Sequence, residues 1–428
     1  MLCWEPRIAQ AVIIVFSLLS SSTFISANDN LCDTSFNELV LEGLTSHPSI
    51  EVSKKIVTGA DLQLRSAKWD YYATPSIDVS KSANKAQLTL RIDQPLWDGG
   101  KINAVRDKAQ ARKTEATFVY AESQYQLIEN YLNTLQKYLQ AQDKIIILNS
   151  GIDELEFVMQ TIDRMISVGE LSIADKNLLS TKIADIHSSL EITKAEFDVA
   201  KIQFEILTGY KLECDIYFND RPIFSSNINI ESLVHDALNF SPSLKILNAR
   251  VEQAKSDVYS AESKLLPTLK LRGEHRQGSL YDRNYGDKES LIYLVFEMST
   301  GAGASVLTNI GRSEIKVLQV ENEKLSKEKE VIDKLMNNYT RFVAVKNNLK
   351  ILSNDVLVAE KVFDSNKRLF FLQQKKWIDV VNALTTLNTK RVSKALLLGE
   401  YKVLEMRLAL KTNRLSLETG GFLSEVLH

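Results

Sequence analysis

The chain has 428 residues, 25% of them charged and 44% hydrophobic, with a formal net charge of −2. That is apolar material enough for a large ordered structure, and the length alone suggests two or three domains. Lys and Arg are interspersed with Asp and Glu, so there is no basic face for nucleic acid, which is excluded as a partner.

Residues 1–27 read as a secretory signal, with Arg7 as a short basic start, Ile8 to Leu19 as the apolar core and cleavage after Ala27. A membrane-spanning helix needs roughly 20 apolar residues, and the rest of the chain holds no apolar run of that length. Contact with a bilayer core must therefore be made by a β-barrel. Cys3 leaves with the signal. Cys32 and Cys214 remain, and Asp29-Asn30-Leu31 before Cys32 is a poor lipidation site.

A short helix is expected from about Ser35 to Tyr72. A period-two segment follows: Leu88, Leu90 and Ile92 alternate with Thr89, Arg91 and Asp93, and Ser76 to Ser82 supplies a partner strand with Ile77 and Val79 on its apolar side. Pro95 marks a boundary or bulge at the end of the second strand. Lys101 to Val168 then runs with one Gly and no Pro. Its apolar residues Ile128, Leu132, Leu135, Leu139, Ile146, Ile152, Leu155, Met159, Ile162 and Ile166 follow steps of three and four, through Gln142 and Asn149. That is a coiled-coil seam. Tyr131, Tyr138, Ile145 and Val158 add a second stripe, so the rod packs on two sides. At 1.5 Å per residue such a rod reaches roughly 100 Å. A returning helix follows at about Ile173 to Leu207.

The order then repeats. A short helix is expected at about Ile230 to Leu265, then strands around Leu269–Leu271 and Ser290–Met298, a second rod in the stretch from Ala304 to Trp377, and a returning helix at about Ile378 to Leu417. His47-Pro48-Ser49-Ile50 is matched by Ser241-Pro242-Ser243-Leu244, Thr74-Pro75-Ser76-Ile77 by Leu266-Pro267-Thr268-Leu269, and Asp98-Gly99-Gly100 by Thr300-Gly301-Ala302-Gly303. Val168-Gly169-Glu170-Leu171 is answered by Gln373-Gln374-Lys375-Lys376. The pattern reads as an internal duplication, with halves 28–220 and 221–428. The strands have the length and alternation of membrane strands, about 9–11 residues. Four of them cannot close a membrane barrel, whose smallest members have about 8, so several chains must pool their strands. Half-buried hairpins on a soluble protein are the alternative that periodicity leaves open.

No catalytic constellation emerges. His47, His187, His235, His275 and His428 pair neither with one another nor with Cys at metal-ligand spacing. No phosphate loop, nucleophile elbow or dinucleotide fingerprint occurs. Asp98-Gly99-Gly100 lacks the Gly-Lys-Ser/Thr ending of a phosphate loop, and its glycines instead turn strand into helix. The chain is expected to be no enzyme and to need no cofactor or metal.

Gln94-Pro95-Leu96-Trp97-Asp98-Gly99-Gly100-Lys101 resembles the junction between second strand and first rod in the TolC family of outer-membrane export proteins, and the ordered, duplicated motifs above extend the resemblance from Phe36 to Leu417. It implies a mainly α fold with a small membrane β-barrel portion. Three protomers give four strands each to a 12-stranded barrel, continued by a trimeric α-barrel of long coiled-coil helices across the periplasm. It implies a passive duct docked to a periplasmic adaptor (membrane fusion) protein and an inner-membrane ABC or proton-driven transporter. It places a gate at the second tip. Asp379 matches an inward-facing aspartate, Asn382 stands where some members have a second one, Lys375 where an arginine latches the closed state, and Gln373 where glycine is usual. Packing around Trp377 and Phe370 would help hold the tip shut. The sharp turns at Asp98, Gly99 and Gly100, and at Gly301 and Gly303, would be strand-to-helix junctions. With the short helices stacked end to end, Cys32 and Cys214 meet near the waist and form a disulfide. Trp97, the Ser299-to-Gly303 junction and Trp377-Ile378-Asp379-Val380 lean towards type I secretion of large adhesins. Multidrug or small-molecule efflux is the alternative cargo, and a soluble periplasmic coiled-coil scaffold or adaptor the rival of another class.

Overall fold

The computed structural model describes residues 35–82, 85–211, 216, 223–224, 229–278, 288–299 and 305–415. The signal segment, Cys32, Cys214, Gly301 and Gly303 lie outside the described residues.

The first half runs α1 (Phe36–Ser46), α2 (Pro48–Trp69), β1 (Thr74–Ser82), β2 (Lys85–Trp97), α3 (Lys101–Ser167) and α4 (Ile173–Thr208). The second repeats that order as α5 (Ile230–Phe240), α6 (Pro242–Glu262), β3 (Thr268–Gly278), β4 (Lys288–Glu297), α7 (Ser305–Phe371) and α8 (Trp377–Lys411). The rods α3 and α7 have 67 residues each.

Each expected short helix is two helices. His47 (φ −66°, ψ 131°) and Ser241 (φ −59°, ψ 113°) are extended. The residue before proline is pushed out of the helical region, whereas proline itself is at home at the first position of the next helix. Pro48 and Pro242 therefore end one helix and open another.

The helices form a wall. Beside the sheet the order is α2, α3, α6, α7, and towards the tips it is α4, α3, α8, α7, so the rods run through both levels. The heptad seam holds on either side of Ile146: Ile128, Leu132, Leu135, Ile152, Leu155 and Ile162 are buried, as are Tyr131, Tyr138 and Val158 of the second stripe. It fails between these stretches, where Ile146 is 63% exposed and Leu148 is buried instead. A straight helix drifts about 20° per heptad against a strict seven-residue repeat, and α3 changes neighbours along its length. At the waist Phe36, Tyr131, Tyr138 and Phe204 stack edge to face, with Phe36 6.5 Å from both Tyr131 and Phe204.

The four strands form one antiparallel sheet in the order β1-β2-β3-β4. Ile77 faces Leu90 and Val79 faces Leu88 across the first pair, while Gly273 faces Ile292 and Leu271 faces Leu294 across the last. The register shifts between Pro95 and Trp97, which is the bulge expected at Pro95.

Candidate functional site: the paired tips and the sheet

The rod-to-return turns at the far end of the wall share one geometry. In the first, the N–H groups of Gly169 and Glu170 donate to the carbonyls of Ile166 (3.0 Å) and Met165 (2.9 Å). In the second, Gln373 and Gln374 donate to Phe370 (2.9 Å) and Leu369 (2.9 Å). Both are Schellman turns, which put one residue in the left-handed region. Gly169 does so freely at φ 81°, but Gln373 does so at φ 57° with a side chain attached.

The helices leaving the turns begin differently. Ser172 caps α4: its hydroxyl accepts from the Asp175 N–H (3.3 Å), and the Asp175 carboxylate accepts from the Ser172 N–H (3.1 Å) and hydroxyl (2.7 Å). The corresponding position before α8 is Lys376, which offers no acceptor. Asp379 occupies the third helical position of α8, as Asp175 does in α4, but takes no hydrogen bond or ion pair from the described residues.

Two side-chain bonds join the tips. The Trp377 indole N–H donates to Asp175 Oδ1 (3.0 Å), and Gln373 Nε2 donates to Glu170 Oε1 and Oε2 (both 3.2 Å). The Ser172 hydroxyl and backbone N–H, with the indole, hold the Asp175 carboxyl below its ordinary range. Beneath these bonds Phe370 and Trp377 are buried with Val158, Ile162, Leu179, Val380, Val381 and Leu384. A cleft of about 670 Å³ opens between the tips, with Leu171, Leu178, Trp377 and Ile378 in its wall and Lys375 and Lys376 also lining it.

Phe370 and Trp377 thus share one buried cluster. Lys375 is exposed and ion-paired to nothing among the described residues. Within the chain the tip is tied by Trp377–Asp175 and Gln373–Glu170, two links that the sequence does not reveal. Ser172-x-x-Asp175 is a legible capping box, but nothing local tells that its carboxylate reaches the other half. Asp379 and Asn382 lie one turn apart on α8, away from Val380, Val381 and Leu384, which face the core.

At the other end of α3, Asp98 completes the junction. Its carboxylate accepts from the N–H groups of Gly100 (3.1 Å) and Ile102 (2.6 Å), capping a helix whose own N-cap, Gly100, has no side chain. Gly99 and Gly100 take φ 67° and 90°, and a Cβ on Gly99 would come within 2.8 Å of Leu266 Cβ. The strand-to-helix role of these three residues is therefore direct.

The two faces of the sheet differ in character, although His275 and Gln277 fall on the apolar side and Leu291 and Val295 on the polar one. Ile77, Val79, Leu90, Ile92, Ile292, Leu294 and Phe296 stand uncovered on one side. On the other, Arg272 grips Asp93 through two bonds (2.6 and 2.8 Å), and Arg91, Arg276 and Tyr293 surround Glu274. No helix of the described residues is long and apolar enough to cross a membrane.

No protein-family model and no curated protein matches the chain. Solved structures do. The outer membrane protein VceC from Vibrio cholerae aligns with a TM-score of 0.76 at 13% identity, over 88% of this chain and 95% of that one. The outer-membrane channel OprN gives 0.77 at 14% identity, over 89% and 90%. CusC gives 0.75 at 14% identity, over 89% and 92%. The fold is that of the TolC-family outer-membrane channels. At these identities it is the fold that is shared. The mainly helical architecture with its small four-stranded sheet is the one the resemblance implies.

Proposed function

We propose that the chain is one protomer of a trimeric exit duct in the outer membrane of a Gram-negative cell, reaching into the periplasm and acting as a passive channel, not an enzyme. The sheet carries this reading. Its outward face is apolar and bare, and its edge strands β1 and β4 have no partner within the described chain. Unpaired edges in lipid are intolerable. Placing β4 of one copy beside β1 of the next continues the antiparallel alternation, and three copies supply the 12 strands that the resemblance implies. Trp69, Tyr72, Trp97 and Met298 are exposed where the sheet meets the helices, as an interfacial belt requires.

The helical wall needs the same completion. Exposed Ile192, Val199 and Ile206 recur every seventh residue on α4, at one edge of the wall, and exposed Ile351 and Val358 repeat that spacing on α7, at the other. Neighbouring copies would bury these stripes against each other. A soluble scaffold would leave both them and the sheet bare. Residues 28–220 and 221–428 are read as two copies of one unit, and Asp379, Asn382 and Lys375 as the ring lining the closed mouth. Energy comes from partners, an inner-membrane transporter reached through a periplasmic adaptor. The junction residues around Trp97 and Trp377 favour a type I system exporting a large adhesin.

The test is membrane fractionation followed by electrophoresis with and without heating, and planar-bilayer recording. An outer-membrane trimer resistant to SDS that conducts supports the duct. A soluble monomer refutes it. Co-purification of an ABC transporter supports the type I assignment, and that of a proton-driven pump overturns it.

A further inference from the structure

The polar face of the sheet is densely charged, and its four cations are each paired within the sheet. By register, Asp78, Arg91, Asp93, Lys270, Arg272, Glu274, Arg276, Glu289 and Glu297 share this face. Among the residues whose side chains are described, four cations thus stand against five carboxylates. Arg272 and Asp93 form a bidentate pair, and Lys270 lies 3.8 Å from Glu297.

The centre of the network is Glu274, only 5% exposed although it stands on the open face of a four-stranded sheet. Arg276 Nε donates to its Oε1 (2.6 Å), the Tyr293 hydroxyl to its Oε2 (2.6 Å), and Arg91 approaches Oε1 at 3.8 Å. The side chains of Arg91 and Arg276 remain 37% and 43% exposed. One carboxylate thus lies underneath two guanidinium groups that face the open side. A strand surface with Arg91 and Arg276 alone would be strongly cationic.

We infer that Glu274 is a specificity-determining residue of the duct: it offsets one of the two charges of Arg91 and Arg276 and so biases the barrel lumen away from selecting anions. The inference rests on the duct reading, in which this face lines the lumen. Three copies repeat the compensation around the wall. Rings of unbalanced charge in a pore select ions of the opposite sign, whereas a compensated wall passes cargo without regard to its charge. Charge discrimination is then left to the tip.

Reversal potentials of the purified trimer in a potassium chloride gradient test this. They are best read at low ionic strength, where the Debye length is about 30 Å at 0.01 M and about 3 Å at 1 M. Glu274→Gln keeps the shape and one acceptor oxygen, turns the other into an amide donor, and removes the one carboxylate that faces Arg91 and Arg276. Its reversal potential shifts towards that of chloride, and the shift shrinks in 1 M salt. Arg276→Gln, a change at a half-exposed side chain that leaves Glu274 with Arg91 and Tyr293, shifts it towards potassium. A purely structural role for Glu274 gives no pair of shifts of opposite sign. If Glu274→Gln does not assemble, the Arg276→Gln shift alone decides. Channels that conduct with a reversal potential indifferent to Arg276→Gln, or to both changes, overturn the inference. Failure of the unmodified protein to conduct at all refutes the duct reading itself.

Discussion

Trp377 is the residue on which the closed tip should depend most. Its ring is 5% exposed, packed with Phe370 and Leu384, and its N–H reaches the carboxylate of Asp175 on the other tip. Trp377→Ala empties that space and removes the bond. Deleting a buried aromatic side chain costs about 3–5 kcal/mol. At 1.4 kcal/mol per tenfold, the local opening equilibrium of the tip rises by roughly a hundredfold or more. The rods and the waist have their own core clusters, so the loss stays local. Amide hydrogen exchange of the trimer should show protection falling at 170–175 and 373–379 and holding at the waist, together with a larger bilayer conductance. Trp377→Phe fills most of the space without the donor, so it isolates the Asp175 bond with a smaller effect of the same sign. That bond has a readable pH range. The folded carboxyl is depressed, by Ser172 first and then by the indole. Its contribution is therefore complete above the ordinary carboxylate range and is lost as pH falls through the lower folded value. The wild-type tip should be indifferent between about pH 5 and 8 and loosen only below about pH 4. Unchanged protection and conductance in a folded Trp377→Ala trimer would refute this account of the tip.

Three further outcomes follow from the geometry, and the cysteine pairing rests on the resemblance alone. Leu90→Arg places charge on the lipid face, costs about 2–4 kcal/mol near the midplane and should impair trimer assembly, whereas Arg91→Ser on the polar face should not; equal tolerance in heat-modifiability assays removes the membrane assignment of β2. Gln373→Gly and Gln373→Ala both lose the link to Glu170, but only glycine relieves the left-handed backbone. The glycine tip should be more stable by about 1 kcal/mol in hydrogen exchange, and equal values would show that φ 57° carries no strain. Thiol titration of oxidised, denatured mature protein should find no free Cys32 or Cys214, and two free thiols disprove their pairing. Asp379→Asn should abolish divalent-cation block and lower cation selectivity while the trimer stays intact; unchanged conductance with a small shift in melting would mean the carboxylate merely favours the start of α8.

Much of the fold can be read from local pattern because few alternatives fit it. The alternation Leu88-Thr89-Leu90-Arg91-Ile92 admits one strand with two unlike faces, and Pro95 can sit only at an irregularity, which is where the register shifts. Where pattern misleads, the cause is common to each case: the answer lies in a neighbour, not in the segment. His47-Pro48 and Ser241-Pro242 are compatible with a position inside a longer helical region, yet a proline suits the first turn of a new helix equally well, and α1 and α5 pack separately at the waist. In α3 a steady seven-residue count runs past the point where the rod exchanges partners, so it puts Ile146 in a core that the residue does not enter. The tip bonds are illegible because Trp377 and Asp175 are 202 positions apart.

The duplication makes the two tips informative about each other. The turn geometry makes Gly169 correspond to Gln373, one residue earlier than the sequence match places it, and Ser172 to Lys376 and Asp175 to Asp379 at the same offset. In the first tip each residue suits its position, since glycine takes the left-handed conformation, serine caps, and the carboxylate closes the capping box. In the second, a glutamine accepts the strained position and a lysine replaces the cap. Local stability of the second turn is thereby reduced, and its links to the first turn, from Gln373 to Glu170 and from Trp377 to Asp175, offset the reduction only while the tips stay together. Such a turn is firm when docked and weak when parted, which suits the proposed aperture. The same exchange leaves Asp379 with no capping bond among the described residues, so a carboxylate that is bound by helix geometry in one half is unengaged in the other, which is what the proposed gate asks of it.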